Sequence, residues 1–299
     1  MMDRIRLFWS TSKNCKNFGD ELSPYIISKL SKSNVECIFP IGKVTKSNLI
    51  AILSLLYALK EYSIIELIRN IFNRNVKHIL GLGSIINRSN SKSIIWGSGI
   101  VVKDDKIKKA DFRAVRGPLT QKRLKELGYI TPPEMGDPGL LLSKLFKPTS
   151  SRENKIGLIP HSTDYDFVSS IVDNDQIEVI NVRTDNIEGV INQINMCSLI
   201  ISSSLHGIII SHSYCIPALW FKFSNNIAGD NIKFYDYYYS VEIFNVVSFS
   251  FTSCCINNID DVYALYEKNK AIALPKPAII NLRCEQLLKS APFKINIDV

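Results

Sequence analysis

The sequence predicts an α/β protein made of two doubly wound, Rossmann-like domains that face each other across a cleft. Short apolar runs, typical of parallel strands buried on both faces, alternate with stretches of helical periodicity in both halves of the chain. The chain has 299 residues, which is enough for two domains of ordinary size. A hydrophobic fraction of 46% against a charged fraction of 21% indicates a packed globular protein rather than a disordered one.

The domain boundaries are predicted from a change in composition near the middle of the chain. Residues 147–154 are polar and contain Pro, Thr and Ser, which makes them the best candidate for a linker. We therefore predict a first domain at residues 1–148 and a second at residues 154–275. The tail, residues 276–299, has the pattern of an amphipathic helix and is expected to brace the two domains.

The charge and the cysteine content indicate which kind of partner the protein binds and in which cellular compartment it works. The net charge of +8 and the pI of about 9.0 favour an anionic partner. Lysine is spread widely without a dense basic tract, so we expect an anionic substrate or the surface of an anionic membrane rather than a nucleic acid. Seven cysteines without a CxxC pair or zinc-site spacing, and no signal-peptide pattern, predict a cytoplasmic protein with reduced thiols.

The most apolar stretch, residues 49–59, is too short to cross a bilayer, which takes about 20 residues. It is either a helix buried in the core or against a partner, which we favour, or a helix that rests on a membrane surface.

The first strand, at residues 5–9, leads through a polar loop into a helix that begins around Asn17 and Gly19. Glycine at this point lets the loop backbone approach a ligand closely. Asp20 is expected either to cap the helix or to orient or deprotonate a sugar hydroxyl.

Two strands of the first half, at residues 76–80 and 93–96, each run into a glycine-rich turn. The first turn contains Gly83 and the second contains Ser98. Neither turn matches the GxGxxG fingerprint, so we do not infer a dinucleotide cofactor.

A third strand, at residues 112–115, ends at Arg116 and Gly117, just before a helix opened by Pro118. An arginine at a strand end beside a helix N-terminus is well placed for a bidentate contact with an anion. We favour this role over that of a surface arginine.

The stretch at residues 199–210 has the pattern of a buried strand, a polar turn and a helix. Such a turn lies at the carboxyl edge of a parallel sheet, where open α/β folds bind ligands. The N–H groups from Ser203 through Ser204 and Leu205 suit an anion, and His206 can carry a proton near neutral pH. An alternative, equally well supported by this stretch alone, is that the serines only cap the helix and His206 is a satisfied turn histidine.

The second half repeats the alternation of strands and helices. A strand ends in His161, and Asp164 and Asp166 follow with the DxD spacing of metal-dependent sugar-nucleotide transferases. Acidic residues also open helices, and we favour that role.

The aromatic cluster at residues 233–240 includes Tyr237. Its rings either pack in the core or form a lid, or they serve as a platform for a carbohydrate. The sequence contains no GxSxG elbow and no P-loop.

Eight short motifs occur in an order that spans nearly the whole chain. They are NFGDELSP (17–24), GLGS (81–84), WGSG (96–99), VRGPLT (115–120), GDPGLLL (136–142), IPH (159–161), SSSLHGIII (202–210) and KFYDYYYS (233–240). Taken together they resemble the polysaccharide pyruvyl transferase family. No single motif is specific for that family, but the ordered set is.

The resemblance implies an enzyme that moves a pyruvyl group from phosphoenolpyruvate to a sugar of a cell-surface polysaccharide, such as a capsule or exopolysaccharide. A cyclic ketal forms and phosphate is released. It also implies an architecture similar to that of the two-domain GT-B glycosyltransferases. Phosphoenolpyruvate is the expected co-substrate, and neither a cofactor nor a metal is expected. The expected acceptor is a glycan or lipid-linked saccharide, with peripheral contact to the inner face of the cell membrane.

By resemblance, Arg116 and His206 fall in the donor site. Some family members have Arg-Leu-His where this chain has Ser204, Leu205 and His206. Because serine carries no charge, another cation or the helix N-terminus must supply the positive charge.

The implied chemistry needs a general acid to protonate the methylene carbon of the donor, for which we predict His206. It also needs a base or acceptor for the sugar hydroxyl, for which we predict Asp20 first and His161 second. The predicted donor-binding residues are Arg116, Ser203, Ser204, Leu205, Gly83, Ser98 and Gly117. The predicted acceptor-binding residues, on the side of the first domain and the aromatic cluster, are Asn17, Gly19 and Tyr237.

Two alternative functions stay open at this point. One is a GT-B-like glycosyltransferase that uses a nucleotide sugar. The other is a non-catalytic glycan-binding or scaffold protein that keeps the fold.

Overall fold

A computed structural model describes residues 4–10, 16–38, 76–225 and 229–297 of the chain. Within them, two five-stranded sheets form, and neighbouring strands are parallel in both. The first sheet has the order β2-β1-β3-β4-β5, with strands β1 (Ile5–Phe8), β2 (Val35–Cys37), β3 (His78–Leu80), β4 (Ser93–Trp96) and β5 (Asp111–Ala114). The second has the order β10-β9-β8-β6-β7, with strands β6 (Lys155–Ile159), β7 (Ile177–Val179), β8 (Cys197–Ser202), β9 (Ala218–Lys222) and β10 (Phe249–Ser250).

Helices connect these strands, and we number the described ones in chain order. They are α1 (Phe18–Ser31), α2 (Pro118–Glu126), α3 (Leu142–Leu145), α4 (Tyr165–Ile171), α5 (Ile187–Met196), α6 (Leu205–Ser213), α7 (Ile232–Ser240), α8 (Ile259–Lys268), α9 (Lys270–Ala273) and α10 (Pro277–Lys289). Two short 3-10 turns, Ile86–Arg88 and Pro138–Leu141, complete the described elements.

The predicted α/β class with parallel sheets is confirmed. Helix α5 shows why the pattern was informative, because its buried residues Ile187, Val190, Ile191 and Ile194 recur at the spacing of one helix face. The side chain of Asn186 caps it by accepting a hydrogen bond from Gly189 N at 3.1 Å. A GT-B-like arrangement and the proposed domain boundaries stay predictions.

The largest apolar cluster of the described residues joins the two sheets. It contains Leu7 and Ile79 of the first sheet, Ile159 and Ile200 of the second, and the segment 140–142 between them. Helix α1 is tied directly to the second half, since Phe18 N donates to Val182 O at 2.8 Å and the Tyr25 hydroxyl donates to Glu188 Oε1, also at 2.8 Å. The two halves therefore pack on each other along much of their length rather than only across an open cleft.

The C-terminal segment packs against the first half of the chain. Trp96 Nε1 donates to Leu287 O of α10 at 2.9 Å, and Asn296 N donates to Leu30 O at 2.8 Å. The predicted linker is also anchored, because Thr149 N donates to Asn192 Oδ1 at 2.9 Å.

Two predictions concern membranes and thiols. The apolar stretch at residues 49–59 lies outside the described residues. None of the helices that the structure describes is long and apolar enough to span a bilayer. The six cysteines within the described ranges are free thiols.

Candidate functional site

The carboxyl ends of strands from both sheets meet at one place. The strand order reverses between β1 and β3 in the first sheet and between β6 and β8 in the second, and such reversal points open a crevice for ligands. The segment after β1 opens helix α1 at Gly19 and Asp20, while the segment after β8 opens α6 at His206. A Cβ atom added to Gly19 would overlap Nδ1 of His206, so only glycine allows α1 to lie this close to the imidazole.

His206 differs from the other three histidines of the chain. His78 pairs with Ser93, His161 with Thr163, and His212 with Tyr237 and Ala273. Within the described ranges, the buried Nε2 of His206 has no hydrogen-bond partner. Burial, followed by the charges of Arg116 and Lys233, lowers the pKa of His206 to about 3. The imidazole is therefore neutral at physiological pH and has one ring nitrogen free for a ligand.

Asp20 does not cap helix α1. That role belongs to Asn17, whose Oδ1 accepts a hydrogen bond from Gly19 N at 2.9 Å. Burial, with a smaller effect of Glu21, raises the pKa of Asp20 to about 7, and the charge of Lys233 opposes this shift. A carboxyl group with this pKa exchanges a proton near neutral pH.

Lys233 is a site residue that the sequence analysis did not single out. It lies in the first turn of α7, and burial and the charge of Arg116 lower its pKa to about 8, against the effect of Asp20. The same ammonium group lowers the pKa of His161, after burial, and of His206. The charge of Lys233 thus acts on Asp20 and on both histidines. The feature of the sequence that could have identified Lys233 is its position as a lysine at the start of an otherwise aromatic helix.

Arg116 is fully buried and is held by protein acceptors. Its Nε and Nη2 each lie 3.1 Å from Asp236 Oδ2 of α7, Nη1 donates to Ser84 Oγ at 2.6 Å, and Nη2 donates to Ile100 O at 2.7 Å. Thr120 at the start of α2 donates to the same carboxylate through its N–H (2.9 Å) and hydroxyl (2.6 Å). The guanidinium edge formed by Nε and Nη2, which could have made a bidentate contact with a ligand, is instead paired with Asp236. A direct donor contact by Arg116 stays a prediction.

The glycine-rich turns contact Arg116, whose N–H donates to Ser98 O at 3.2 Å. Ser98 Oγ donates to Gly83 O at 2.9 Å, so this hydroxyl connects the two turns. Gly83 has a left-handed φ of 105° with open space around its Cα. Gly117 packs so closely on the Asp236 carbonyl that any Cβ would overlap it.

The serine turn lies at the carboxyl edge, as predicted. Ser203 Oγ accepts a hydrogen bond from His161 N at 2.8 Å, which joins the ends of β6 and β8. Ser204 is the N-cap of α6 and accepts from Gly207 N at 3.4 Å. Leu205 is buried in the core cluster, so only its N–H group is available to a ligand.

Tyr237 is not placed as we predicted. It is fully buried, and its hydroxyl lies 2.9 Å from His212 Nδ1, so its ring cannot serve as an exposed carbohydrate platform. The partly exposed rings of α7 are instead those of Tyr235 and Tyr239. The reason is the helical period, because Tyr235 and Tyr239 lie four residues apart on one face of the helix, whereas Tyr237 lies on the buried face.

The DxD pair opens a helix, as favoured. Asp164 and Asp166 lie at the start of α4, where Asp166 pairs with Arg183 at 2.8 Å and Asp164 accepts from Ser224 Oγ at 2.7 Å. No group of three or more His, Cys, Asp or Glu side chains suited to a metal ion occurs in the described part of the chain.

Comparison with known proteins agrees with the ordered motifs. A family model described as "Polysaccharide pyruvyl transferase" matches residues 10–225, which include Asp20, Arg116, His161 and His206. The chain belongs to the polysaccharide pyruvyl transferase family. Lys233 lies C-terminal to the matched range, although the fold brings it to the same site as these residues.

Two curated proteins resemble this polysaccharide pyruvyl transferase family member. "Uncharacterized protein L143" of Acanthamoeba polyphaga mimivirus is 35% identical over 172 residues, which are 54% of this chain and 58% of that protein. "Succinoglycan biosynthesis protein ExoV" of Rhizobium meliloti (strain 1021) is 27% identical over 173 residues, which are 53% of this chain and 52% of that protein. The chain thus spans about half the length of the curated relatives it matches.

A solved structure of an uncharacterised protein, KP1_0663 from Klebsiella pneumoniae subsp. pneumoniae NTUH-K2044, aligns with a TM-score of 0.39 and 14% identity. The alignment covers 82% of this chain and 92% of the other.

Proposed function

We propose that this protein transfers the pyruvyl group of phosphoenolpyruvate to a sugar of a polysaccharide precursor, forming a cyclic ketal and releasing phosphate. The observation that carries the proposal is the meeting of titratable groups at the carboxyl edges of both sheets. Gly19, next to Asp20, lies against the ring of His206, and a hydrogen bond from His161 N to Ser203 joins the ends of two strands there. The charge of Lys233 acts on the same groups. Membership of the family and similarity to a succinoglycan biosynthesis protein support it.

The reaction defines what these residues must do. The methylene carbon of the donor gains a proton and becomes a methyl group, which leaves C2 electron-poor. One sugar hydroxyl adds to C2 and loses its proton, the bond from C2 to the phosphate oxygen breaks, and a second hydroxyl closes the ketal with loss of its proton. Of the two hydroxyl protons, one balances the proton taken up by carbon and the other leaves with hydrogen phosphate.

Asp20 is the group whose pKa best suits these proton transfers, since burial raises it to about 7. General acid–base catalysis is most effective when the pKa lies near the operating pH. We therefore assign proton transfer first to Asp20. This revises the expectation that His206 acts as the acid, because its pKa is lowered to about 3 in the free protein.

His206 and Lys233 are assigned to the anionic donor. The free Nε2 of the neutral imidazole can hydrogen-bond a phosphate or carboxylate oxygen, and the Lys233 ammonium supplies the charge that Ser204 lacks. The N-terminus of α6 adds N–H groups aimed at the same place. An anion bound there would raise the pKa of His206 and increase its ability to donate a proton. His161 remains a second candidate for contact with the acceptor hydroxyl.

The acceptor and its location complete the proposal. We propose a lipid-linked saccharide of an exopolysaccharide or capsule pathway, modified at the cytoplasmic face of the membrane by a peripherally bound enzyme. The basic net charge of +8 supports an anionic surface. A GT-B-like closure of the two halves around the donor is part of the same proposal.

The decisive experiment is an assay with phosphoenolpyruvate and a panel of saccharide acceptors, read out as phosphate release and as the mass of a ketal on the acceptor. We expect Asp20→Asn to lower kcat by about 10²- to 10⁴-fold, because it removes the proton-transfer group. Lys233→Met should mainly raise KM for phosphoenolpyruvate. Matched controls are Asp166→Asn, which also tests the DxD motif, and Lys268→Met at an exposed position; both should retain activity.

Binding measurements give an independent outcome. Phosphoenolpyruvate should raise the melting temperature of the wild type and shift Lys233→Met much less. Stabilisation by a nucleoside diphosphate, with no effect of phosphoenolpyruvate, would contradict the proposal and favour a glycosyltransferase.

A further inference from the structure

The positive charge of the protein is concentrated in one segment. Residues 76–130 contain twelve Lys or Arg and four Asp or Glu, and this excess equals the net charge of +8 for the whole chain. The rest of the chain is balanced. Although lysines occur throughout the sequence, the net positive charge is therefore confined to this one segment.

The fold collects these cations on one surface. The 3-10 turn Ile86–Arg88, residues 100–110 and helix α2 form a layer over one face of the first sheet, held by Ile86, Ile107 and Leu124 in a common apolar cluster. We define the basic face by the exposed cations of this layer, which are Arg88, Lys103, Lys106, Lys108, Lys109, Lys122 and Lys125.

Hydrogen bonds make the three parts of the layer continuous. Ser89 Oγ donates to Lys108 O at 3.1 Å, which joins the turn to the loop. Arg123 Nε donates to Asp105 O at 2.9 Å, which joins α2 to the same loop. The segments that carry the cations of the basic face are therefore joined to one another in a single layer.

Three of the four acidic residues of this segment do not neutralise the basic face, and the fourth, Asp104, is exposed between Lys103 and Lys106 but is outnumbered by the cations. Asp105 is buried and accepts hydrogen bonds from Val101 N at 2.7 Å and Asn87 Nδ2 at 3.1 Å. Asp111 pairs with Arg113, and Glu126 pairs with Arg123. Among the ion pairs of the described residues, none involves a member of the basic face.

An apolar side chain protrudes beside the basic face. Ile130 is 93% exposed, the highest value among the exposed large apolar side chains of the described residues. The neighbouring Tyr129 donates its hydroxyl to Ile107 O at 3.1 Å, so this corner is attached to the loop that carries Lys106 and Lys108. Cations around an exposed aliphatic side chain suit a bilayer, where anionic headgroups lie above acyl chains.

The basic face begins next to the candidate site. Lys103 N donates to Asp230 Oδ2 at 2.8 Å, and Asp230 lies just before the helix that carries Lys233. A surface on which the basic face rests would therefore lie beside the crevice where the acceptor is proposed to bind.

We propose that the basic face, with Ile130 inserted among the headgroups, docks the protein on a bilayer rich in anionic lipid. This docking surface rests on the membrane contact named in the proposed function and goes beyond it by assigning the residues that make the contact. Binding is measured without turnover, so failure of this proposal is distinguishable from failure of pyruvyl transfer.

The test is cosedimentation of the full chain with phosphatidylcholine vesicles, with and without about one third phosphatidylglycerol. We expect binding only to the anionic vesicles, and a large loss between about 0.1 M and 1 M salt, where the Debye length falls from about 10 Å to about 3 Å. Equal binding to neutral vesicles would overturn the proposal. Binding to a soluble polyanion such as polyglutamate, without binding to either vesicle, would overturn it as well.

Charge-matched variants locate the surface. Lys106→Gln, Lys108→Gln and Lys125→Gln together should weaken vesicle binding about 100-fold, since each surface lysine contributes about fivefold. Lys144→Gln, Lys147→Gln and Lys276→Gln together remove the same charge at exposed positions outside the basic face and should weaken it far less. Ile130→Ser should weaken binding about tenfold at unchanged charge. Equal effects of the two triple variants would overturn the assignment to this face.

Discussion

The roles of individual side chains at the site depend on groups that folding brings near them. Asp20 and His206 both lose solvent, but burial has opposite effects on an acid and a base. The pKa of the carboxyl group rises to about 7 and that of the imidazole falls to about 3, so both groups are largely uncharged below neutral pH. Asp20 is consequently the better candidate for proton exchange in the free protein.

The raised pKa of Asp20 has a consequence for stability. The pKa is about 7 in the folded protein against 3.8 ordinarily, so the folded state loses relative stability as pH rises from about 4 to above 7. Asp20→Asn removes this titration and should be more stable than wild type at pH 8, by up to about 4 kcal/mol, and nearly equal to it at pH 4. Guanidinium unfolding at the two pH values measures the difference. A difference that does not change with pH would show that Asp20 has an ordinary pKa.

The buried ion pair of Arg116 and Asp236 makes a second prediction. Arg116→Met leaves the Asp236 carboxylate buried without its cation and should lower the free energy of unfolding by about 3 to 5 kcal/mol. Adding Asp236→Asn should recover part of this loss, because no uncompensated charge then remains. Denaturant unfolding of the two single variants and the double variant measures the coupling. Wild-type stability with loss of phosphoenolpyruvate binding in Arg116→Met would instead make Arg116 a donor ligand.

Pairs of elements are positioned by close backbone approach. Helix α2 meets α7 where Gly117 touches the Asp236 carbonyl, and α1 meets α6 where Gly19 touches the His206 ring. The first contact is with backbone and the second is with a side chain. A larger residue at position 117 would therefore require the helices to move apart, whereas one at position 19 could be accommodated by rotation of the His206 ring.

Gly117→Ala should therefore separate α2 from α7 and destabilise the protein by about 3 kcal/mol or more. Gly83→Ala is the control, since its Cβ meets nothing within 4 Å and the cost is only that of the left-handed φ, about 1 to 2 kcal/mol. Thermal and denaturant unfolding of both variants measures the two losses of stability, and we expect the larger loss for Gly117→Ala. If Gly117→Ala proves the milder change, the approach of α2 to α7 is looser than described.

At the scale of the whole molecule, the largest apolar cluster of the described residues crosses between the two sheets. Apolar residues of both sheets, of α1 and of α6 belong to the same buried cluster. The C-terminal helix is anchored to the first half through Trp96 and Leu287. Coupling of this kind favours cooperative unfolding over independent unfolding of two domains.

We therefore expect a single calorimetric transition, with a van't Hoff enthalpy close to the calorimetric enthalpy. Trp96→Phe, which removes the donor to Leu287 O, should shift this transition downward without splitting it. Two resolved transitions in the wild type would indicate two independently folding domains, as the composition change at residues 147–154 suggests.

Local patterns in the chain were sufficient for the fold class and the family. Apolar runs and helical periodicity depend on neighbouring residues, so strand β8, the serine turn and helix α5 were predictable where they occur. The ordered motifs identified the family and placed His206 and Asp20 in candidate roles. The same patterns showed that Tyr237 belongs to an aromatic cluster, but not which face of the helix it occupies.

Tertiary structure alone decided which candidates are available to a ligand. Arg116 is occupied by Asp236, a residue 120 positions away, and Lys233 joins the site from beyond the range that matches the family. Burial and the distance to other charges set the pKa values of Asp20 and His206, and neither quantity is a property of the local sequence. The chain thus specifies its elements through short-range order, while the chemistry of its site comes from groups that only folding brings together.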